Sequence, residues 1–332
     1  MKKTQKSDTP IVAGVGAALV DIICHENDQF ILDIGVQKGG MTLVDHAFIL
    51  ETLKRIKQKP IMVSGGATCN TIKGLGQLQC PSRFIGKRGN DSLGEFFEKD
   101  LRDCGVEPVL CTSDTPTGKV LSIITPDAQR TMFTYLGASS EMLANEIKSD
   151  YFEGLKLCLI EGYLIYQKEV MLKALHSAWQ KGIRIALDLS SFTVVETFKQ
   201  GFKDIVEAYV DILIANEDEA KAYTGCTEEA ESIHAMSEYV DIAIIKLGKR
   251  GSLILKNDAI VRVNPIGGGS ALDTTGAGDL WASGFFYGLL NDLPLETCGE
   301  IASACGYEVC QVEGATIPKE GWIRIKERIS QK

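Results

Sequence analysis

Asp273-Thr274-Thr275-Gly276-Ala277-Gly278-Asp279 runs directly into Leu280-Trp281-Ala282-Ser283-Gly284-Phe285-Phe286-Tyr287-Gly288, which has helical spacing and an apolar face. It reads as a glycine-rich loop feeding a helix. Small residues at Gly276, Ala277 and Gly278 leave backbone N–H groups uncovered at a helix N-terminus, where unpaired donors and the helix dipole both attract an anion. Phosphate is the obvious anion. Asp279 falls in the first helical turn beside the same pocket, and a carboxylate there can take the proton of a hydroxyl attacking phosphorus. Taken alone, the segment is equally open to a plainer reading, in which the glycines make a turn and Asp279 caps the helix.

Upstream, short β-branched runs alternate with longer helical patterns, which is the pattern of parallel strands joined by helices. The runs Ile11–Gly16, Ile61–Ser64, Arg83–Gly86, Leu157–Glu161, Ile183–Asp188, Ile212–Ala215 and Ile242–Lys246 are apolar enough to be buried on both faces of a sheet. Covering helices are predicted at Asp91–Asp103, with Asp91 and Glu95 near its N-terminus, and at Lys168–Gln180. Two regions break the rhythm, 21–45 and 117–136. In the second, Lys119–Ile124 and Thr131–Leu136 read as strands about the turn Thr125-Pro126-Asp127-Ala128. They predict a small β-sheet lid, built from segments 17–60 and 113–138, over the carboxyl edge of the main sheet. Neither a linker nor an internal repeat divides the chain, so a single α/β domain over 1–332 is expected.

Composition narrows the function classes. With 332 residues, 45% hydrophobic and 24% charged, the chain can bury a sizeable core and is not disordered or fibrous. Thirty-five Lys and Arg against 44 Asp and Glu give a net charge of -9, which repels phosphate backbones and anionic membranes. Nucleic acid is therefore not an expected partner. The longest apolar stretch, around Leu280 to Leu290, is too short to cross a bilayer, and the polar start Met1-Lys2-Lys3-Thr4-Gln5-Lys6 carries no export pattern. The ten cysteines form no C-x-x-C pair and read as reduced thiols in a cytoplasmic protein.

The segment 273–279, with further motifs in order along nearly the whole chain, resembles the C-terminal signature of the PfkB, or ribokinase-like, family of carbohydrate and nucleoside kinases. That resemblance implies a central, mostly parallel sheet flanked by helices, with a small β-sheet lid. Gly14-Val15-Gly16-Ala17-Ala18-Leu19-Val20-Asp21 places an acid after the first strand, resembling the aspartate that holds two sugar hydroxyls. Gly65-Gly66-Ala67-Thr68-Cys69-Asn70 resembles the paired-glycine motif, where backbone approaches the sugar and an asparagine hydrogen-bonds it. Asn216-Glu217-Asp218-Glu219 resembles the Asn-Glu-x-Glu motif that positions Mg²⁺ and phosphates, with Glu219 on the metal side. Lys246-Leu247-Gly248-Lys249-Arg250-Gly251 resembles the ATP-binding turn, but departs from it at Lys246, where the family usually has Thr or another small residue. Thr274 joins Asn216, Lys246, Gly248 and Gly251 on the nucleotide side. The resemblance also admits a K⁺ ion near Asp273, held mostly by backbone carbonyls.

Thr125-Pro126-Asp127-Ala128-Gln129-Arg130-Thr131-Met132, Leu136-Gly137-Ala138-Ser139 and Glu161-Gly162-Tyr163-Leu164 carry a closer likeness to bacterial adenosine-kinase-like members. On that reading, Arg130 closes over the transferring phosphoryl group. Ile22, Phe133 and Leu136 either sandwich a base or form the core of the lid. The implied reaction is transfer of the γ-phosphoryl of ATP to the 5'-hydroxyl of adenosine, with Asp279 as base and a sugar kinase as the alternative. Two rival motifs fail. The dinucleotide fingerprint lacks its third glycine, since Leu19 stands there, and no Gly-Lys pair is followed by Ser or Thr as a P-loop requires. Histidines 25, 46, 176 and 234 have no zinc-like spacing. Retention of Asp273 and Asp279 argues against a catalytically silent, ligand-sensing relative. The expected assembly is a monomer, or a homodimer formed through lid sheets.

Overall fold

The structure, a computed structural model, describes residues 11–127, 129–267 and 271–331. Its strands are, in chain order, β1 (Val12–Val15), β2 (Leu19–His25), β3 (Gly40–Leu43), β4 (Ile61–Gly65), β5 (Ser82–Gly89), β6 (Val106–Ser113), β7 (Gly118–Ile124), β8 (Arg130–Tyr135), β9 (Leu157–Glu161), β10 (Arg184–Asp188), β11 (Ile212–Asn216), β12 (Ile242–Lys246), β13 (Ser252–Lys256) and β14 (Ala259–Val263). The main sheet has the order β14-β13-β12-β11-β10-β9-β1-β5-β6. It is parallel from β12 to β6, and β13 and β14 extend it as an antiparallel ribbon. The expected mostly parallel central sheet is present.

Alternation along β10 and β11 feeds both faces of this sheet. Ile185, Leu187, Leu213 and Ala215 join a core with the helices Lys168–Gln180 and Lys199–Tyr209. Ala186, Ile212 and Ile214 join a second core with the helices Ala67–Gln77 and Ala277–Leu290. The predicted helix at 168–180 has those bounds, whereas the other spans Ser92–Asp103 with Asp91 as its N-cap, accepting the Gly94 amide at 2.8 Å.

A second sheet has the order β3-β8-β7-β2-β4, with β7 and β8 as the antiparallel hairpin expected there. Ala128 of the expected turn lies outside the described residues. One strand expectation is corrected. Ile61–Ser64 is not a doubly buried strand of the main sheet. It forms most of β4, an edge strand antiparallel to β2, and leaves Ile61 51% and Met62 45% exposed. The small sheet therefore also draws on residues beyond the 17–60 segment. β2, β3, β6, β13 and β14 are not among the strands expected from the sequence.

Parallel strands align their carboxyl ends along one edge, and this edge is polar. The register sets Glu161 opposite Asp188 and Asn216 opposite Lys246, so β9, β10, β11 and β12 each end on a polar side chain beneath the same crevice. No described helix is long and apolar enough to cross a membrane.

Candidate active site

Gly276 precedes the helix Ala277–Leu290 with φ of 70°, the left-handed region, and a Cβ there would lie 2.5 Å from the Cβ of Ala315. Only glycine fits this turn. The Ala277 amide donates to the Thr274 carbonyl at 3.1 Å, and the Leu280 amide donates to that of Gly276 at 2.8 Å. Within the turn 276–280, the amides of Gly276, Gly278 and Asp279 have no hydrogen-bond acceptor among the described residues. The open cradle is thus offset from the expected Gly276–Ala277–Gly278 set, because the turn itself consumes the Ala277 donor.

Asp279 faces the helix Ala67–Gln77. Asn70 Nδ2 donates to its Oδ2 at 2.9 Å, while its backbone carbonyl accepts from Thr71 Oγ1 and Ser283 Oγ, each at 3.1 Å. Burial, aided by the nearby Asp188 and Glu161 carboxylates and opposed by Asn70 and Lys246, pushes the Asp279 carboxyl up to about 7. Such a carboxyl is poised to take a proton near neutral pH.

On the small-sheet side, Asp21 lies in β2 opposite Val63 of β4 and Val120 of β7. A side chain at Gly65 would overlap the Asp21 carboxylate, and one at Gly66, which has φ of 97°, would meet the Ala17 carbonyl at 2.7 Å. A side chain at Gly66 would therefore meet fixed backbone from a left-handed conformation, whereas one at Gly65 would have to displace the Asp21 carboxylate. Burial raises the Asp21 carboxyl to about 6 against the opposing pull of Arg130 and Lys73. Lys73 is itself buried and donates to Asp100 Oδ2 at 2.6 Å and to Ser64 Oγ at 2.7 Å. The strand register puts Ile23, Val63, Val120 and Met132 on the same face as Asp21. Ile22 and Phe133 point the other way into the core beneath that sheet, with Phe133 5.0 Å from the Phe48 ring.

Arg130, at the start of β8, is ion-paired with Asp273 across to the glycine-rich loop. Asp273 Oδ2 also accepts the Gly314 amide at 2.7 Å, and Oδ1 accepts the Thr275 amide at 3.0 Å and its hydroxyl at 2.9 Å. Thr274 is exposed beside it.

Across the crevice, Asn216 and Glu219 form a reciprocal cap. The Glu219 amide donates to Asn216 Oδ1 at 2.9 Å, while Asn216 donates to Glu219 from its amide at 2.8 Å and from Nδ2 at 2.7 Å. Burial and the Asp188 charge push the Glu219 carboxyl up to about 7. Lys246 Nζ donates to Asp188 Oδ2 at 2.8 Å and lies 3.0 Å from where a Gly278 side chain would begin. Gly248 and Gly251 take φ of 54° and 88° in the turn after β12. Among the described residues, no three His, Cys, Asp or Glu groups converge as a metal cage.

Two residues that the sequence analysis gives no site role stand in the crevice, Asp188 and Glu161, the second quoted there only as part of Glu161-Gly162-Tyr163-Leu164. Asp188 holds Lys246. Glu161 accepts the Ala17 amide at 2.9 Å and the Thr68 amide at 3.2 Å, tying the segment before Asp21 to the segment bearing Asn70. Each ends a strand that the sequence predicts, and an acid closing a doubly buried strand was the available signal.

Known proteins share this fold. The profile of the pfkB family of carbohydrate kinases matches residues 42–321. The crystal structure of a probable sugar kinase from Rhizobium etli is 32% identical with a TM-score of 0.88, covering 96% of this chain and 98% of that one. An adenosine kinase from Sinorhizobium meliloti is 28% identical with a TM-score of 0.88, over 97% and 99% of the two chains. A 5-dehydro-2-deoxygluconokinase of Listeria monocytogenes is 30% identical over 72% of this chain and 78% of its own length. With its ribokinase-like α/β fold, the chain belongs to the PfkB family of carbohydrate kinases, phosphotransferases that act on a hydroxyl group.

Proposed function

We propose that this enzyme transfers the γ-phosphoryl group of ATP to the 5'-hydroxyl of a ribonucleoside, with adenosine as the first candidate. The observation that carries the nucleoside reading is the face around Asp21. One carboxylate able to hold ribose hydroxyls is set beside the half-buried apolar side chains Val63, Val120 and Met132, a surface suited to an aromatic base. Asp21, the Gly65-Gly66 backbone and Asn70 orient the sugar, and Asp279 takes the proton of its hydroxyl. The open amides of Gly276, Gly278 and Asp279 receive phosphoryl oxygens. The small sheet acts as a lid on a single α/β unit, bringing Arg130 over the phosphates.

The uncaged acidic edge fits a Mg²⁺ ion delivered with the nucleotide, with Asn216 and Glu219 reaching it through water. Bound there, the ion would neutralise charge on the nucleotide phosphates. A K⁺ ion near Asp273 would draw on backbone carbonyls, since both Asp273 oxygens already accept protein donors.

A sugar kinase is the second reading, favoured by the 32% identity to a probable sugar kinase and by the hydroxyl-binding character of Asp21 and Asn70. Adenosine, ribose, fructose and a keto-gluconate, each offered with ATP, separate the two. The nucleoside reading expects the highest kcat/KM with adenosine, and a free sugar turning over faster would overturn it.

A further inference from the structure

We propose that Lys246 is a catalytic residue whose ammonium donates to the phosphoryl group in flight, and that Asp188 is the positioning residue that holds it there. The inference rests on phosphoryl transfer and is independent of the acceptor's identity.

From the end of β12 the Lys246 stem carries Nζ in front of the first turn of the helix Ala277–Leu290, 3.0 Å from the site of an absent Gly278 side chain. The amides of Gly276, Gly278 and Asp279 are open at the same place. Ammonium, bare amides and helix N-terminus therefore converge on one anion position. Asp188 Oδ2 accepts from Nζ at 2.8 Å, and the two side chains are only 15% and 14% exposed.

The other charges acting on this ammonium, Glu219 and Asp279, are carboxylates. Arg130 lies on the opposite side of the crevice, paired with Asp273. An ammonium has three donors and no acceptor, so Lys246 can hold Asp188 and still donate to arriving oxygens. In the step, the acceptor oxygen forms its bond to phosphorus as the bond from phosphorus to the ADP oxygen breaks. The ADP oxygen keeps that electron pair, and the acceptor proton passes to the Asp279 carboxylate. Lys246 gives up no proton. It donates hydrogen bonds to charge that is spread over the phosphoryl oxygens.

The test uses the full chain, with ADP plus aluminium fluoride as a mimic of the flying phosphoryl group, and calorimetry as the readout. Lys246→Met, which keeps length and loses charge, is expected to weaken ADP–aluminium fluoride binding by ~10²-fold or more, the scale of a lost oxyanion donor. Affinity for ADP alone should stay within about threefold, well under a single tenfold step of 1.4 kcal/mol. Lys246→Arg should recover part of the loss. Asp188→Asn should weaken the mimic alone and add nothing in the Lys246→Met background, the non-additivity of two residues acting as one.

The proposal is overturned if the wild type binds the mimic no better than ADP, if Lys246→Met weakens ADP and the mimic equally, or if Asp188→Asn and Lys246→Met add. With an acceptor that turns over, recovery of Lys246→Met to wild-type kcat at alkaline pH also overturns it, because Lys246 would then act only by keeping Asp279 ionised. A wild type that binds the mimic tightly but phosphorylates no nucleoside refutes the acceptor reading alone.

Discussion

Asn70 holds Asp279 by a single 2.9 Å hydrogen bond from Nδ2 to Oδ2, joining the helix that follows the paired glycines to the helix that begins the phosphate cradle. Acceptor orientation and proton removal are thereby one geometry. With Asp279 titrating at about 7, kcat/KM should rise with pH through neutrality as the carboxylate forms, with the Asp21 titration at about 6 adding a second loss below it. Asn70→Ala removes a donor that favours the carboxylate, so the acid limb should move to higher pH. Asp279→Asn should cost at least ~10²–10⁴ in kcat, the range of a positioned base, while ATP still binds. A pH–rate series on the three proteins checks this, and a full-rate Asp279→Asn enzyme would remove that residue from the mechanism.

Gly65 and Asp21 occupy one space. Alanine at 65 would put its methyl into the carboxylate, so Gly65→Ala should swing Asp21 off the sugar and raise the acceptor KM by ~10–10²-fold, the loss of a hydrogen bond to a charged group. ATP affinity should be unchanged. Titration of each ligand separately reads the difference.

Arg130→Ala should lower kcat by ~10²-fold while changing acceptor affinity far less, if the guanidinium leaves Asp273 to meet developing phosphoryl charge. Direct measurement of acceptor binding beside turnover decides it. A large loss of affinity with kcat intact would make Arg130 a binding residue.

How much of this was legible beforehand follows from what each signal depends on. β10, β11 and β12 could be read because a strand buried on both faces must be apolar throughout. The place of β4 is not readable from sequence, because Ile61-Met62-Val63 has the same composition at an exposed edge as in a sheet centre, and pairing partners decide which it is. β2 was hidden by Asp21 and His25, polar residues that interrupt its apolar run. Gly276, Gly278 and Asp279 stand out in sequence as a local run of bare backbone beside an acid, whereas Gly65, Gly66 and Asn70 stand out only through the resemblance to the family's paired-glycine motif. The Lys246–Asp188 pair was not legible, since it spans 58 residues and depends on strand order.

Lys119 offers a stability test. It is 4% exposed, and its side-chain amine meets His46 Nε2 at 3.1 Å, with the Tyr135 ring 5.9 Å away and, among the described residues, no carboxylate within ion-pair distance. Burial first, then the Lys119 charge, lower the His46 pKa below 6.5, against weaker opposing pulls from Asp91 and Asp45. Below pH 6.5 the unfolded chain therefore binds a proton that the folded chain resists, and stability from this group falls as pH drops through that window. Lys119→Met removes a buried charge and its repulsion of the imidazole. It should raise Tm at pH 7.5 by about 1–3 °C, the shift of roughly 1 kcal/mol in a chain of this size. Because the buried acids Asp21 and Asp279 tilt stability the opposite way, the quantity to follow is the Tm difference between wild type and Lys119→Met. That gap should widen between pH 7.5 and 5.5, and it should stay flat in a His46→Gln background, where the titrating imidazole is gone. A gap that ignores pH in the native background would mean that His46 does not sense the Lys119 charge.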